Sequence, residues 1–301
     1  MFAFGNLGNT CYMNTALQCL MRLPPLNALL DRWVNPGETP VQKLVQEFND
    51  LRIMATTNDG CTIKPGRFMH AMQTYALQKN HPEFASREQQ DSVEFMQFLL
   101  NCIHEAMAKP IQIEPDPDDC EISKKCREMM RLHFSKEYSE IVELFYGVHV
   151  SAIKESRTPE VFLTLDLPLP AGATTLVQCL EAYTAGEPIV WRNEETKMEE
   201  PATKQLSFWR LPTLLIVCLK RFDGQGRKNA APIEIPDDLT LCDVAYKLRA
   251  AVLHNGGTHS GHYAACAKIK DVWVVLDDET AYPLDPNNYK QVYCAIYEKL
   301  S

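Results

Sequence analysis

The chain has 301 residues, 46% of them hydrophobic and 23% charged, with a formal net charge of −9. That length buries a sizeable core as one large domain or two intimate ones, and the acidic balance argues against a nucleic-acid partner while suiting a substrate with a basic face. No apolar run approaches the ~18 residues of a membrane span, the start has no basic-then-apolar signal pattern, and the eleven cysteines have no repeated spacing, so the expectation is a reducing compartment, cytoplasmic or nuclear, with no membrane partner.

The first informative stretch is Asn6-Leu7-Gly8-Asn9-Thr10-Cys11-Tyr12-Met13-Asn14-Thr15-Ala16-Leu17-Gln18-Cys19-Leu20. A loop of Gly, Asn and Thr runs into an apolar-periodic segment, with Tyr12, Ala16 and Cys19 on one helical stripe and Met13, Leu17 and Leu20 on the next. Asn9 and Thr10 are helix-capping residue types, which places Cys11 in the first turn. There the orphan N–H groups and the positive end of the helix dipole favour a thiolate, so Cys11 is the candidate nucleophile and Cys19 a core thiol.

Residues 1–140 read as mostly helical. Pro40 opens a helix through Phe48, Pro65 opens another through Met72, and Glu88 to Met107 is the longest clear helix, with a broad apolar face from Val93 to Ile103. The Pro- and Asp-rich run Glu114 to Asp119 breaks the pattern and reads as a solvated loop. From about Tyr138 the chain turns to short runs rich in Val, Ile, Leu, Phe and Tyr, read as strands at Phe145–Ile153, Val161–Leu167, Gln205–Leu211, Leu214–Leu219, Tyr246–Leu253, His262–Ala267 and Val272–Leu276. A helix near Thr175–Thr184 interrupts them. The result is a helical half carrying the nucleophile against a sheet-rich half, with a cleft between.

A nucleophilic cysteine needs a base, and the base needs a third group to hold its tautomer. His70, His81, His104, His133 and His149 lack a matching carboxylate string and read as surface or structural, leaving His254, His259 and His262. His259 and His262 with Cys266 have a loose metal-ligand look, but no cysteine pair completes a tetrahedral set, so no metal is expected. His262 begins a strand that leads through a short turn at Lys270-Asp271 into the strand ending at Asp277. If the turn is the tight pair Ile269-Lys270, Asp277 lies directly opposite His262, with Val275 facing Ala264 and Trp273 facing Cys266. A turn one residue longer would hand the position to Asp278, which is the alternative third residue.

The Asn6–Leu20 string, the Gly261-His262-Tyr263 after a glycine-rich loop and the Trp273-containing strand ending at Asp277 resemble the Cys and His boxes of the ubiquitin-specific proteases. Gln89-Gln90-Asp91-Ser92-Val93-Glu94-Phe95, the run Leu211 to Phe222, and Tyr293-Cys294-Ala295-Ile296-Tyr297-Glu298 resemble the same family, in its order and across nearly the whole chain. The resemblance implies one α+β domain over residues 1–301 with a papain-like cysteine peptidase fold: a helical thumb to about residue 140, then a β-rich palm and fingers. It implies a deubiquitinating thiol isopeptidase with a Cys11–His262–Asp277 triad and Asn6 at the oxyanion hole. The other readings are a catalytically silent ubiquitin-binding module and a peptidase for another ubiquitin-like modifier. By the same resemblance Asp91 and Glu94, with Gln90, Tyr263 and Gly261, hold the arginine-bearing tail of ubiquitin, and Gly256, Gly257 and Gly261 let the loop before His262 open and close. Two departures stand out. The finger regions 151–159 and 183–205 contain no cysteine, so the family's finger zinc is not expected, and Ala3-Phe4 stand where Gly-Leu is usual.

Overall fold

The helical half begins with a short strand, β1 (Ala3–Phe4), and continues through α1 (Cys11–Leu20), α2 (Pro24–Arg32), α3 (Pro40–Thr57), β2 (Thr62–Ile63), α4 (Gly66–Gln78), α5 (Pro82–Ala85), α6 (Ser92–Met107), α7 (Glu121–Phe134) and α8 (Glu140–Phe145). The sheet-rich half follows with β3 (Gly147–Ile153), β4 (Ser156–Phe162), β5 (Thr164–Leu167), α9 (Leu176–Thr184), β6 (Glu187–Arg192), β7 (Glu199–Arg210), β8 (Leu214–Leu219), β9 (Asp238–Leu241), β10 (Val244–Gly256), β11 (Gly261–Ile269), β12 (Val272–Asp277), β13 (Thr280–Pro283) and β14 (Val292–Lys299). This computed structural model describes residues 1–37, 39–58, 60–114, 120–193, 196–257, 260–285 and 292–300. Residues 115–119 of the expected Glu114–Asp119 loop, and His259, lie outside the described residues.

The large sheet runs β13-β12-β11-β10-β14-β8-β5, with β9 paired to β10. Its central strands read as unbroken apolar runs because both faces are covered. In β14, Cys294 and Ile296 join the core shared with the helices, while Ala295 and Tyr297 join a second core on the face where α9 packs. Leu214, Ile216 and Cys218 of β8 divide from Leu215, Val217 and Leu219 in the same way. A separate four-stranded sheet, β4-β3-β7-β6, forms the fingers.

Helix α1 is buried at all ten positions, because α6 packs on one side and β11 on another. Such a helix must bond its polar side chains internally. Asn14 Nδ2 does so by donating to Gly5 O and Asp278, and Gln18 Nε2 by donating to Phe2 O, while Asn14 Oδ1 is buried with no partner among the described residues. Tyr12 meets Phe95 edge-on at 5.5 Å, and Ser92 Oγ donates to Tyr12 O, so α6 holds α1 by both packing and hydrogen bonding.

Several boundaries differ from those expected. α6 starts at Ser92 and not Glu88, because the Asp91 carboxylate accepts from the Val93 and Glu94 amides and thereby caps the helix. α3, opened by a Thr39–Gln42 capping box around Pro40, is longer at 18 residues than α6 at 16. Phe145 closes α8 and does not begin a strand. The run 161–167 splits between two sheets: β4 pairs with β3, while β5 pairs in parallel with β8. β7 starts at Glu199 and not at Gln205, extended by pairing with β6.

Candidate active site

Cys11 is the first residue of α1 and only 2% exposed. Thr10 holds the N-cap position, yet its hydroxyl makes no cap; it accepts from Leu7 N and donates to Asn6 Oδ1 instead. The helix start therefore leaves its amides uncapped beside the thiol. Even so, burial raises the Cys11 thiol above its usual range, with the Asp278 charge acting the same way, while backbone hydrogen bonding from Tyr263, Tyr12 and Cys11 itself opposes both. Burial thus works against the thiolate that the helix start favours. Cys19 is core, as expected: fully buried, its Sγ 3.6 Å from Ala251 O and its thiol pushed up to about 12.

His262 enters β11 beside that helix start, and its Nε2 lies 2.5 Å from Asp277 Oδ1. With Nε2 committed to the carboxylate, Nδ1 is the nitrogen left for acid–base work. The hairpin that produces this pair has the short turn expected at Lys270-Asp271, and not the tight Ile269-Lys270 pair on which the direct His262–Asp277 register rested. Its turn is Lys270-Asp271, both at positive φ (48° and 64°), and Cys266 pairs with Val275 and Lys268 with Trp273. A β-branched Ile269 in a left-handed conformation would be costly, whereas Asp tolerates it. The shift is two residues, so every side chain keeps its face and Asp277 reaches His262 diagonally.

Asp278 does separate work. At φ 48° it leaves the strand, and its two carboxylate oxygens accept from Asn6 Nδ2 and Asn14 Nδ2, each at 2.7 Å. Asn6 is fixed from its other end too, since Oδ1 accepts from Gly8 N, Thr10 N and Thr10 Oγ1. Three donors at one atom and a carboxylate at the other settle which way the amide faces. Asn14, which no sequence motif singled out, could have been found as a polar residue on a helix with apolar stripes all round. Among the described residues, His262, Asp277 and Asp278 form a group whose ligand atoms all lie within 4.8 Å of one another.

The residues expected to hold a substrate tail divide into two sets. Asp91 is saturated: besides capping α6 through Oδ1, its Oδ2 accepts from Tyr263 and Tyr293 hydroxyls at 3.0 and 2.7 Å. Tyr263 is buried, and Gln90 turns to Ser86 Oγ. Glu94 is exposed, and lost hydration followed by the charges of Asp91 and Glu83 holds its carboxyl above the usual range. It borders a groove of about 460 Å³ that Glu83, Glu105, Phe84 and Phe98 also line. Gly261 is needed for space and not for freedom: its φ is ordinary, but a Cβ there would meet His254 Nε2 at 2.1 Å. Gly256 does adopt positive φ, at 103°.

His254 is buried, which together with the nearby Lys228 charge pushes its pKa down to about 4. It binds its proton less readily folded than unfolded, so the stability linked to it is complete above about pH 6.5 and is lost as the pH falls toward about 4. His254→Gln is expected to flatten the fall of Tm over that range, read by calorimetry against the parent chain. Parallel curves would mean that other groups carry the acid sensitivity.

A cysteine at the head of a buried helix, facing a sheet that supplies histidine and aspartate, is the papain-like α+β arrangement. The chain belongs to the ubiquitin carboxyl-terminal hydrolase family, whose family model matches residues 3–297. It is 30% identical over 333 aligned residues to ubiquitin carboxyl-terminal hydrolase 21 of Homo sapiens, covering 94% of this chain and 58% of that one. To human ubiquitin carboxyl-terminal hydrolase 2 it is 28% identical, covering 98% and 54%. The chain thus spans somewhat over half the length of these relatives. A chain in the solved SAGA Ubp8/Sgf11/Sus1/Sgf73 DUB module bound to ubiquitin aldehyde shares the fold at a TM-score of 0.74 and 22% identity, over 100% of this chain and 70% of that one.

Proposed function

We propose that this chain is a thiol isopeptidase that hydrolyses the bond after the C-terminal glycine of ubiquitin. The observation that carries the reading is the 2.5 Å His262–Asp277 contact on the strand beside the Cys11 helix start. His262 Nδ1 takes the Cys11 proton, and the resulting thiolate attacks the glycine carbonyl. Asn6, pinned by Asp278, has one amide hydrogen left for the oxyanion, next to the Cys11 N–H. The imidazolium returns the proton to the leaving amine, and water activated by His262 then releases the acyl group. Covalent labelling by ubiquitin bearing a C-terminal electrophile tests this. Labelling only by another ubiquitin-like modifier would redirect the substrate, and no labelling by any would leave a silent binding module.

Glu94 is the better candidate for a basic tail, since Asp91 has no free lone pair in this arrangement. Glu94→Ala is expected to raise KM more than it lowers kcat, by the 1–3 kcal/mol or so of a charge-assisted pair, at unchanged Tm. Asp91→Ala should lower Tm as well, through about 1 kcal/mol of lost cap and two freed tyrosine hydroxyls. An unaltered kcat/KM in Glu94→Ala would make that carboxylate a solvated face only.

The finger sheet does not fit a thiolate-bound zinc. Between residues 147 and 210 the single cysteine is Cys179, buried in α9. We assign the fingers to packing: His149 stacks on Phe162 at 5.6 Å and Tyr183 on Phe208 at 6.1 Å, while at the tip Lys154 sits 4.6 Å over Trp191 and pairs with Glu200. Purified protein is expected to hold no stoichiometric zinc and to keep its Tm in chelator. One zinc per chain by elemental analysis would overturn this. Operation in the cytoplasm or nucleus is part of the same proposal, and among the described residues no helix is long and apolar enough to cross a membrane.

A further inference from the structure

We propose that Lys228 and His254 are positioning residues for the backbone that carries His262. The inference rests on the reading of His262 as the base and deepens it. His254 lies in β10, where it pairs with Tyr263 of β11, and its ring is 2% exposed. Lys228 Nζ stands 3.0 Å from His254 Nδ1 and 2.7 Å from the His254 carbonyl oxygen. An ammonium only donates, so Nδ1 accepts and the ring proton sits on Nε2. That end of the ring presses on Gly261, where no Cβ would fit. Tyr263, Phe222 and Tyr293 wall the ring at centroid distances of 4.6, 5.6 and 5.9 Å, and both tyrosines are tied by their hydroxyls to Asp91.

The ring is therefore held at both edges and on its faces, and what it abuts is the residue before His262. On its other side Gly261 N–H is held by Gln89 Oε1 at 3.2 Å. A half-buried lysine bonded to a neutral imidazole, with no carboxylate paired to it among the described residues, gives up hydration for little net stability. What it supplies is orientation. The Lys228 loop is itself tied down: Phe222 bridges to Lys228, and buried Arg221 donates to the carbonyls of Asn229, Ala231 and Val292. A chain of contacts thus runs from Arg221 through Lys228 and His254 to Gly261, and sets where the His262 imidazole starts.

The test uses the whole chain with Lys228→Met, Lys228→Arg, Gly261→Ala, His254→Ala and the His254→Ala/Gly261→Ala double variant. Hydrolysis of a ubiquitin C-terminal fluorogenic amide gives kcat and KM. Iodoacetamide alkylation of the Cys11 peptide, followed by mass spectrometry across pH, reports the thiol–imidazole pair without any ubiquitin. Lys228→Met is expected to lower kcat about tenfold or more with KM within about twofold, because displacement of a reacting group by ~1 Å costs up to about a hundredfold. Its Cys11 alkylation profile should shift toward that of an unassisted thiol, and Lys228→Arg should recover most of both. Gly261→Ala should be nearly inactive alone yet cost far less in the His254→Ala background, where the clash is gone. The proposal is overturned by parent-like kinetics and alkylation in Lys228→Met, or by a Gly261→Ala penalty that is the same with and without His254. A parent chain that fails to react with any ubiquitin probe defeats the activity reading, while the alkylation profiles still decide the positioning role.

Discussion

Cys11→Ala is expected to reduce turnover on the order of 10⁴- to 10⁶-fold while leaving ubiquitin affinity within a few-fold. The thiol is buried at the head of α1 and makes little ground-state contact, so its removal takes away the bond-forming atom and hardly any binding surface. Cys19, two turns along the same helix, is the matched control. It is buried and points at Ala251 O on the sheet side, so Cys19→Ala should keep activity and lose only some stability. Steady-state kinetics with equal loss in both variants, or hydrolysis by Cys11→Ala above a mock-purified preparation, would remove Cys11 from its role.

The second large effect separates two adjacent carboxylates. Asp277 holds His262 Nε2, and losing a tautomer-fixing carboxylate costs up to about 10⁴-fold. Asp278 holds Asn6 and Asn14, and loosening one oxyanion donor costs about 10²- to 10³-fold. Asp277→Ala should therefore cut kcat/KM at least about tenfold more than Asp278→Ala. Asp278→Ala should also relieve the charge that raises the Cys11 thiol, so its alkylation at neutral pH should speed up even as turnover falls. The reverse ranking would mean that fixing Asn6 matters more than fixing the imidazole.

These residues were unequally legible in the sequence. Cys11, His262 and Asp277 stood out because each sits where a periodic segment starts or stops, and the hairpin period of two keeps Asp277 on the His262 face whether the turn is Ile269-Lys270 or Lys270-Asp271. The turn at Lys270-Asp271 was legible too: Lys270 belongs to both possible pairs, and of the residues on either side of it Asp271 tolerates positive φ while β-branched Ile269 does not. Asp91 looked like a residue for substrate because it stands in the string Gln89 to Phe95 that resembles the family's. Its partners Tyr263 and Tyr293 are about 170 and 200 positions away, and no local pattern announces that they converge on one carboxylate oxygen. Lys228 was hidden for the same reason, and His254 was noticed only as a candidate base, because the meeting of a loop lysine with a strand histidine depends on tertiary packing. Helix α6 was placed four residues early because the capping aspartate was read as part of the helix it begins.

The position of β14 between β10 and β8 bears on how the chain comes off the ribosome. Among the described strands β14 comes last in chain order and lies in the middle of the large sheet, so until it emerges β8 and β10 have no common neighbour. The two faces of the large sheet cannot become continuous across β8 and β10 before then. Folding of the palm is thus deferred to the end of translation of this region, and the long-range closure required makes it slow and dependent on protection from aggregation. Arrested nascent chains that stop short of Val292 should remain protease-sensitive across β8 and β10, whereas chains a few tens of residues longer should resist.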